Sequence, residues 1–160
     1  MKLPILVMYK YRIEEIKGVY NIYENELFKF IIKKGKKIFK EYSEVYDDKE
    51  NLIASIQGHY FLLFRKYYSV FLAKDNSRHK LVRESKFFSI EYMGNLYSLN
   101  IPHLGQGNKF YLNNKLCGNV KIIKSSVYKS IYEIEACNEA GLFIFCLIYI
   151  CGNSYSGTDI

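Results

Sequence analysis

Tryptophan is absent from this 160-residue sequence, proline occurs twice and alanine only four times. Because alanine favours helices most strongly, its scarcity argues against a helical bundle. The longest uncharged apolar run, residues 141–151, falls short of the roughly 20 residues that a membrane-spanning helix needs. The four cysteines include no CxxC pair and none lies near a histidine, so the sequence predicts no metal site.

The residues that are abundant favour a globular β protein. Hydrophobic residues make up 49% of the chain and charged residues 24%, which is typical of a folded domain. The 16 tyrosines and 11 phenylalanines, together with many isoleucines and valines, suit β-strands. Since no linker divides the sequence, we expect a single domain over residues 1–160.

Alternating polar and apolar residues recur along the chain, as in Phe88, Ile90 and Tyr92 around Ser89 and Glu91. Such alternation places one set of side chains on the core face of a sheet. Turn-forming Asn, Asp and Gly residues separate these runs at short intervals. The predicted strands are 5–13, 18–23, 27–33, 37–46, 52–57, 60–73, 80–83, 86–93, 96–101, 109–113, 116–124 and 127–136. About twelve strands are many for one open sheet, which favours a closed antiparallel barrel.

The run GLFIFCLIYIC at residues 141–151 is apolar on every face. Whatever structure it adopts must therefore be surrounded by protein. Periodicity alone does not separate a helix from a strand in a run of this kind. Cys146 and Cys151 lie inside it, and we interpret both as small buried hydrophobic residues.

Three segments together resemble the tubby C-terminal-like superfamily, which includes LURP-one-related proteins, phospholipid scramblases and small bacterial relatives. They are VYDDKENLIASI at 45–56, FYLNNKLCGNVKI at 110–122, and YEIEACNEAG at 132–141 leading directly into LFIFCLIYI. The resemblance spans roughly residues 10–152. It implies a closed antiparallel barrel of twelve strands around a buried hydrophobic C-terminal helix at about 141–151.

A lipocalin-like barrel is the alternative fold. Lipocalins carry a Gly-x-Trp motif near the first strand and an amphipathic surface helix. This sequence has no tryptophan, and its C-terminal apolar run has no polar face. The lipocalin-like barrel is therefore ranked second.

The net charge of +7 is concentrated in the segment FKFIIKKGKKIFK at residues 28–40, which has six lysines and no acid. Such a run attracts phosphate groups of lipid or nucleic acid, or it forms a solvated hairpin whose lysines prevent edge-to-edge aggregation. The anion-binding candidates chosen from local charge are Lys29, Lys33, Lys34, Lys36, Lys37, Lys40, Arg65 and Lys66.

The functional hypothesis is a non-catalytic binding module that attaches peripherally to anionic phospholipid membranes through a basic patch. The resemblance supports it, since eukaryotic tubby domains bind phosphoinositide headgroups and scramblases act on lipid. The alternative is a protein-interaction or regulatory module without a lipid role. Nucleic acid is not an expected partner, because the sequence contains no recognised nucleic-acid module. We expect a cytoplasmic protein, located in part at the membrane surface, without a signal peptide.

Catalytic patterns are missing from the sequence. His59, His79 and His103 are scattered, and no serine or cysteine has an evident histidine partner. His79 falls in a predicted charged turn at residues 77–80 and is expected to be solvated. The sequence therefore predicts no catalytic residue, no cofactor and no metal ion.

Overall fold

The structure is a computed structural model that describes residues 8–37, 40–61, 64–84, 87–100 and 107–156. Twelve strands and one helix lie within these ranges. The elements are β1 (Tyr9–Ile16), β2 (Val19–Glu24), β3 (Leu27–Lys37), β4 (Lys40–Asp47), β5 (Leu52–Phe61), β6 (Phe64–Leu72), β7 (Ser77–Glu84), β8 (Phe87–Tyr92), β9 (Asn95–Asn100), β10 (Lys109–Leu112), β11 (Lys115–Ser125), β12 (Ser130–Ala136) and α1 (Glu139–Ser156).

The strands form a closed antiparallel barrel in which each strand pairs with the next one along the chain. Pairing of β1 with β12, from Tyr9 opposite Ala136 to Glu15 opposite Ser130, closes the barrel. The predicted fold class is confirmed. The lipocalin-like alternative is wrong, because lipocalin barrels have eight strands and here there are twelve.

Among the connections that the structure describes, four are two-residue turns in which both residues have positive φ angles. This is the type I′ geometry, whose twist matches that of the flanking strands and which Asn and Gly tolerate best. The turns are Lys17–Gly18, Asn25–Glu26, Met93–Gly94 and Asn113–Asn114. Local sequence therefore explains why the chain reverses direction at these points.

Because successive strands run in opposite directions, the connections alternate between the two ends of the barrel. The β2–β3, β4–β5, β6–β7, β8–β9 and β10–β11 turns share one end with the start of α1, and we call it the helix-entry end. The remaining connections, β1–β2, β3–β4, β5–β6, β7–β8, β9–β10 and β11–β12, lie at the opposite end, which we call the hairpin end.

Helix α1 begins at a side-chain cap. The Asn138 side-chain oxygen accepts a hydrogen bond from the backbone N–H of Gly141 at 2.9 Å, which satisfies a free donor of the first turn. Residues 144–150 are then all buried, each no more than 3% exposed. Seven consecutive buried residues cover every side of a helix, so protein surrounds this part of α1. The prediction of a buried helix is confirmed, and the helix extends beyond the predicted 141–151.

Aromatic rings connect the helix to several parts of the barrel wall. Phe145 stacks on Phe110 of β10 with ring centroids 4.6 Å apart, and it meets the edge of Tyr97 of β9 at 5.4 Å. One turn further along, Tyr149 packs against Tyr132 of β12 at 5.6 Å. These contacts fix the helix inside the barrel. In the part of the chain that the structure describes, no helix is both long and apolar enough to cross a membrane.

Some predicted boundaries are wrong in an informative way. β3 continues through the lysine run to Lys37, whereas the alternation of its apolar residues ended the prediction at 33. His79 lies within β7 rather than in a solvated turn, and it is half-buried. Residues 127–129, predicted as strand, belong to the turn before β12.

Removing the Phe145 ring tests whether the helix is part of the core. The variant Phe145→Ala should lose about 3–5 kcal/mol of unfolding free energy in urea titrations, because it leaves a cavity beside Phe110. Leu116→Ala is the matched control, since Leu116 is 64% exposed and should change the unfolding free energy by about 0.5 kcal/mol or less. Equal losses for the two variants would contradict the central packing of α1.

Candidate functional site

Backbone pairing places most of the predicted anion-binding residues at the hairpin end. Lys37 pairs with Lys40 at the closing step of the β3–β4 hairpin, and Lys36 pairs with Glu41. The next hairpin, β5–β6, closes with Phe61 opposite Phe64, directly before Arg65 and Lys66. Because β4 pairs with β5, the two basic hairpins are neighbours. The side chains of Lys36, Lys37, Lys40, Arg65 and Lys66 lie outside the part of the molecule that the structure describes.

Lys29 does not belong with the others. It lies near the start of β3, at the helix-entry end, with its Nζ 4.0 Å from an oxygen of Glu24. Lys37 lies eight residues further along the strand, which is about 26 Å at 3.3 Å per residue. The basic run is therefore continuous along the chain, but it does not form one compact patch.

Lys33 and Lys34 point to opposite sides of the barrel wall. Lys33 is exposed, and its Nζ lies 5.5 Å from the centre of the Tyr46 ring. Lys34 shares the inward face of β3 with the buried Ile32, and its ammonium donates a hydrogen bond to the hydroxyl of Tyr20 at 3.0 Å. Lys34 therefore supplies positive charge on the inner side of the barrel wall near the hairpin end, whereas Lys33 supplies it on the outer side.

Three further lysines reach the hairpin end from distant parts of the sequence. Lys17 occupies the β1–β2 turn, and the adjacent Gly18 carbonyl accepts a hydrogen bond from the Lys34 backbone N–H at 3.2 Å. Lys124 and Lys129 flank the β11–β12 turn. Local charge could not reveal this grouping, because it arises only when β12 closes on β1.

Acidic side chains offset part of this charge. Glu14 lies 3.6 Å from both Lys129 and Arg12, and Glu15 is half-buried nearby. The stronger concentration of acids is at the other end, where turn and first-turn positions carry Glu26, Asp48, Glu50, Asp75 and Glu139. Lys29, Lys49, Lys74 and Lys115 also lie at the helix-entry end and offset part of its acidic charge. The hairpin end is thus basic, whereas the helix-entry end carries charges of both signs.

A serine–histidine contact that sequence reasoning missed occurs at the β6–β7 turn. Ser77 Oγ lies 2.7 Å from His79 Nε2 and donates to Asp75 Oδ1 at 2.5 Å. The Ser77 hydroxyl thus has two partners, the Asp75 carboxylate and the His79 ring. Tyr92 donates to the second oxygen of Asp75 at 3.0 Å, and these bonds lower the pKa of Asp75. The arrangement secures a turn, since residues two apart on a strand share a face.

The described cysteines are free thiols. Cys137 donates from its thiol to the sulfur of the buried Cys117 across β11 and the end of β12, at 2.8 Å. Burial raises the pKa of Cys117 to about 11. Cys146 is fully buried, as predicted, whereas the Cys151 side chain lies outside the described residues. Among described residues, no three His, Cys, Asp or Glu side chains are grouped so that they could hold a metal ion.

Two adjoining surface pockets form a groove on the outer face of β7–β10. One, of about 410 Å³, is lined by Phe87, Tyr111 and both Ser89 and Ser98. The other, of about 510 Å³, shares Ser89 and continues past basic residues of β7. The rings of Phe87 and Tyr111 contact each other at 5.8 Å. This groove is a second candidate binding surface, distinct from the basic hairpins, and it starts at Phe87, the first residue of β8.

Comparison with protein-family models, curated proteins and solved structures gave no match to this chain. The architecture and the charge distribution described above are therefore the basis for inferring function.

The raised pKa of Cys117 predicts lower stability at high pH. An unfolded cysteine ionises near pH 8.5, whereas the folded Cys117 retains its proton up to about pH 11. Between these values the unfolded chain binds fewer protons, so the free energy of unfolding falls as the pH rises. Burial also raises the pKa of Tyr11, which extends the decline to higher pH.

Thermal unfolding at pH 8 and pH 10 measures this effect. The Tm of the wild type should fall between pH 8 and pH 10. The Tm of the variant Cys117→Ala should fall less over the same interval. An identical fall in the two proteins would show that Cys117 is not responsible.

Proposed function

We propose that this protein is a tubby-like binding module that attaches peripherally to anionic phospholipid membranes through the hairpin end of its barrel. The single observation that carries the proposal is the convergence of separate basic segments at that end. The β1–β2, β3–β4 and β11–β12 hairpins are contributed by neighbouring strands and bring Lys17, Lys33, Lys34, Lys124 and Lys129 together.

The electrostatic energy available to such a surface is sufficient for reversible attachment. A basic residue close to an anionic leaflet contributes about 1 kcal/mol, and the attraction decays over roughly 8–10 Å at physiological ionic strength. Several lysines held at one end of a rigid barrel act together within that distance. The helix-entry end carries charges of both signs and is attracted less to the same surface, which favours binding through the hairpin end.

The filled interior supports an external binding site. Phe145 and Ile150 are fully buried and Ile148 is 1% exposed, so helix side chains occupy the space that a ligand would use in a hollow barrel. Membership of the tubby-like superfamily is part of the proposal. The twelve-stranded barrel and its buried C-terminal helix agree with the resemblance found in three sequence segments.

Co-sedimentation with vesicles tests the membrane proposal. Binding is expected to anionic vesicles but not to neutral ones, and it should weaken as salt rises from low to physiological concentration. Replacing Lys33, Lys34, Lys36 and Lys37 by serine should reduce binding at least tenfold, because these residues supply charge to the basic end.

The control variant replaces Lys29, Lys49, Lys74 and Lys115 by serine. It changes the net charge by the same amount, but these residues lie at the helix-entry end, and it should retain most of the binding. Equal loss in both variants would show that net charge alone matters. If the wild type binds anionic vesicles at neither salt concentration, the membrane proposal is contradicted.

Protein binding is the second candidate function, and the groove on β7–β10 is the observation that favours it. Its aromatic part carries the 40%-exposed Phe87, and its floor carries the hydrogen-bonded hydroxyls of Ser89 and Ser98, 3.0 Å apart. An aromatic wall beside paired hydroxyls is suited to a peptide with an apolar side chain. Loss of a protein partner on Phe87→Ser, with vesicle binding unchanged, would support this second candidate.

A further inference from the structure

The β11–β12 hairpin presents large hydrophobic side chains at its tip. Val127 is 95% exposed and Tyr128 is 79% exposed. Both residues lie at the hairpin end, between the last residue of β11 and the first residue of β12. Adjacent hydrophobic side chains with this degree of exposure are candidates for a contact surface.

The tip is ordered by its own hydrogen bonds and not by burial of these two side chains. The Ser126 N–H and hydroxyl both donate to the Lys129 carbonyl, at 3.1 and 2.7 Å. The Lys129 N–H in turn donates to the Ser126 hydroxyl at 3.1 Å. A turn closed in this way constrains the backbone of Val127 and Tyr128, so less backbone entropy remains to be lost on binding.

A β-bulge enlarges the apolar surface. Ile122 pairs with Tyr132 and Lys124 pairs with Ile131, so Ile123 is an additional residue in β11. The bulge interrupts the alternation of the strand, and consecutive isoleucines are both exposed, Ile122 at 67% and Ile123 at 58%. The hairpin therefore has an apolar tip and an apolar segment behind it.

Lysines accompany this apolar surface. Lys124 separates Ile123 from the tip, and Lys129 directly follows Tyr128. Lys124 is exposed and Lys129 is half-buried, 3.6 Å from Glu14. Apolar side chains at a protruding tip with ammonium groups behind them complement an anionic bilayer, whose negative headgroups cover an apolar interior.

We propose that the β11–β12 hairpin inserts into the membrane, with Val127 and Tyr128 below the headgroups and Lys124 and Lys129 at the level of the phosphates. This inference rests on the proposed membrane attachment and adds a hydrophobic anchor to it. Electrostatic attraction brings the hairpin end to the surface, and insertion of the tip then slows dissociation. Binding should consequently include a component that salt does not remove.

The absence of tryptophan provides a site-specific probe. The variant Tyr128→Trp has a single tryptophan, at the tip, whereas Leu116→Trp has one at the helix-entry end, where Leu116 is 64% exposed. With anionic vesicles carrying brominated acyl chains, Tyr128→Trp should show a blue-shifted and quenched emission. Leu116→Trp should show neither effect.

A second variant separates insertion from electrostatic attachment. Val127→Ser combined with Tyr128→Ser alters only exposed tip positions and leaves the net charge unchanged, so it should fold normally while its vesicle affinity at physiological salt falls at least tenfold. Unchanged affinity, or Tyr128→Trp emission that does not respond to vesicles that bind the protein, would overturn the insertion and leave the electrostatic attachment intact. Failure of the wild type to bind anionic vesicles would overturn both.

Discussion

Burial of an apolar helix on all sides is the constraint on which this structure depends. Residues 144–150 of α1 have no face that can be left to water. A single sheet would cover one side of such a helix, whereas a closed barrel covers every side. The sheet must in turn be wide enough to enclose the helix, which is consistent with its twelve strands.

This constraint bears on the proposed function. Because side chains of the helix occupy the barrel interior, the candidate binding surfaces are the outer groove and the hairpin end. The alternation of connections then divides the loops into two sets with different charge. Acids and lysines both occur in the turns near Asn138, whereas lysines predominate in the hairpins at the opposite end, so orientation relative to an anionic surface follows from the topology.

Most of the fold could be predicted from the sequence, because the determining signals are local. Alternation of polar and apolar residues indicates strands. Residues that tolerate positive φ, such as Asn113 and Asn114, mark turns, and the uninterrupted apolar run indicates an element surrounded by protein.

The candidate site was less predictable than the fold. Charge density along the sequence selected Lys29, Lys33 and Lys34 together, whereas the structure places Lys29 at the helix-entry end and directs Lys33 and Lys34 to opposite sides of the wall. Lys17, Lys124 and Lys129 were missed because only barrel closure brings them together. The Ser77–His79 contact was missed because neither residue belongs to a recognisable motif.

The most direct test of the central claim is the thermal unfolding of a chain that ends at Ala140 and so lacks nearly all of α1, followed by circular dichroism. If the helix is the core around which the barrel closes, the shortened chain will show no cooperative transition and will expose apolar surface that binds hydrophobic dyes. A soluble chain that retains its strand signal and melts in a single cooperative transition would contradict the account, because it would show that the barrel closes without the helix.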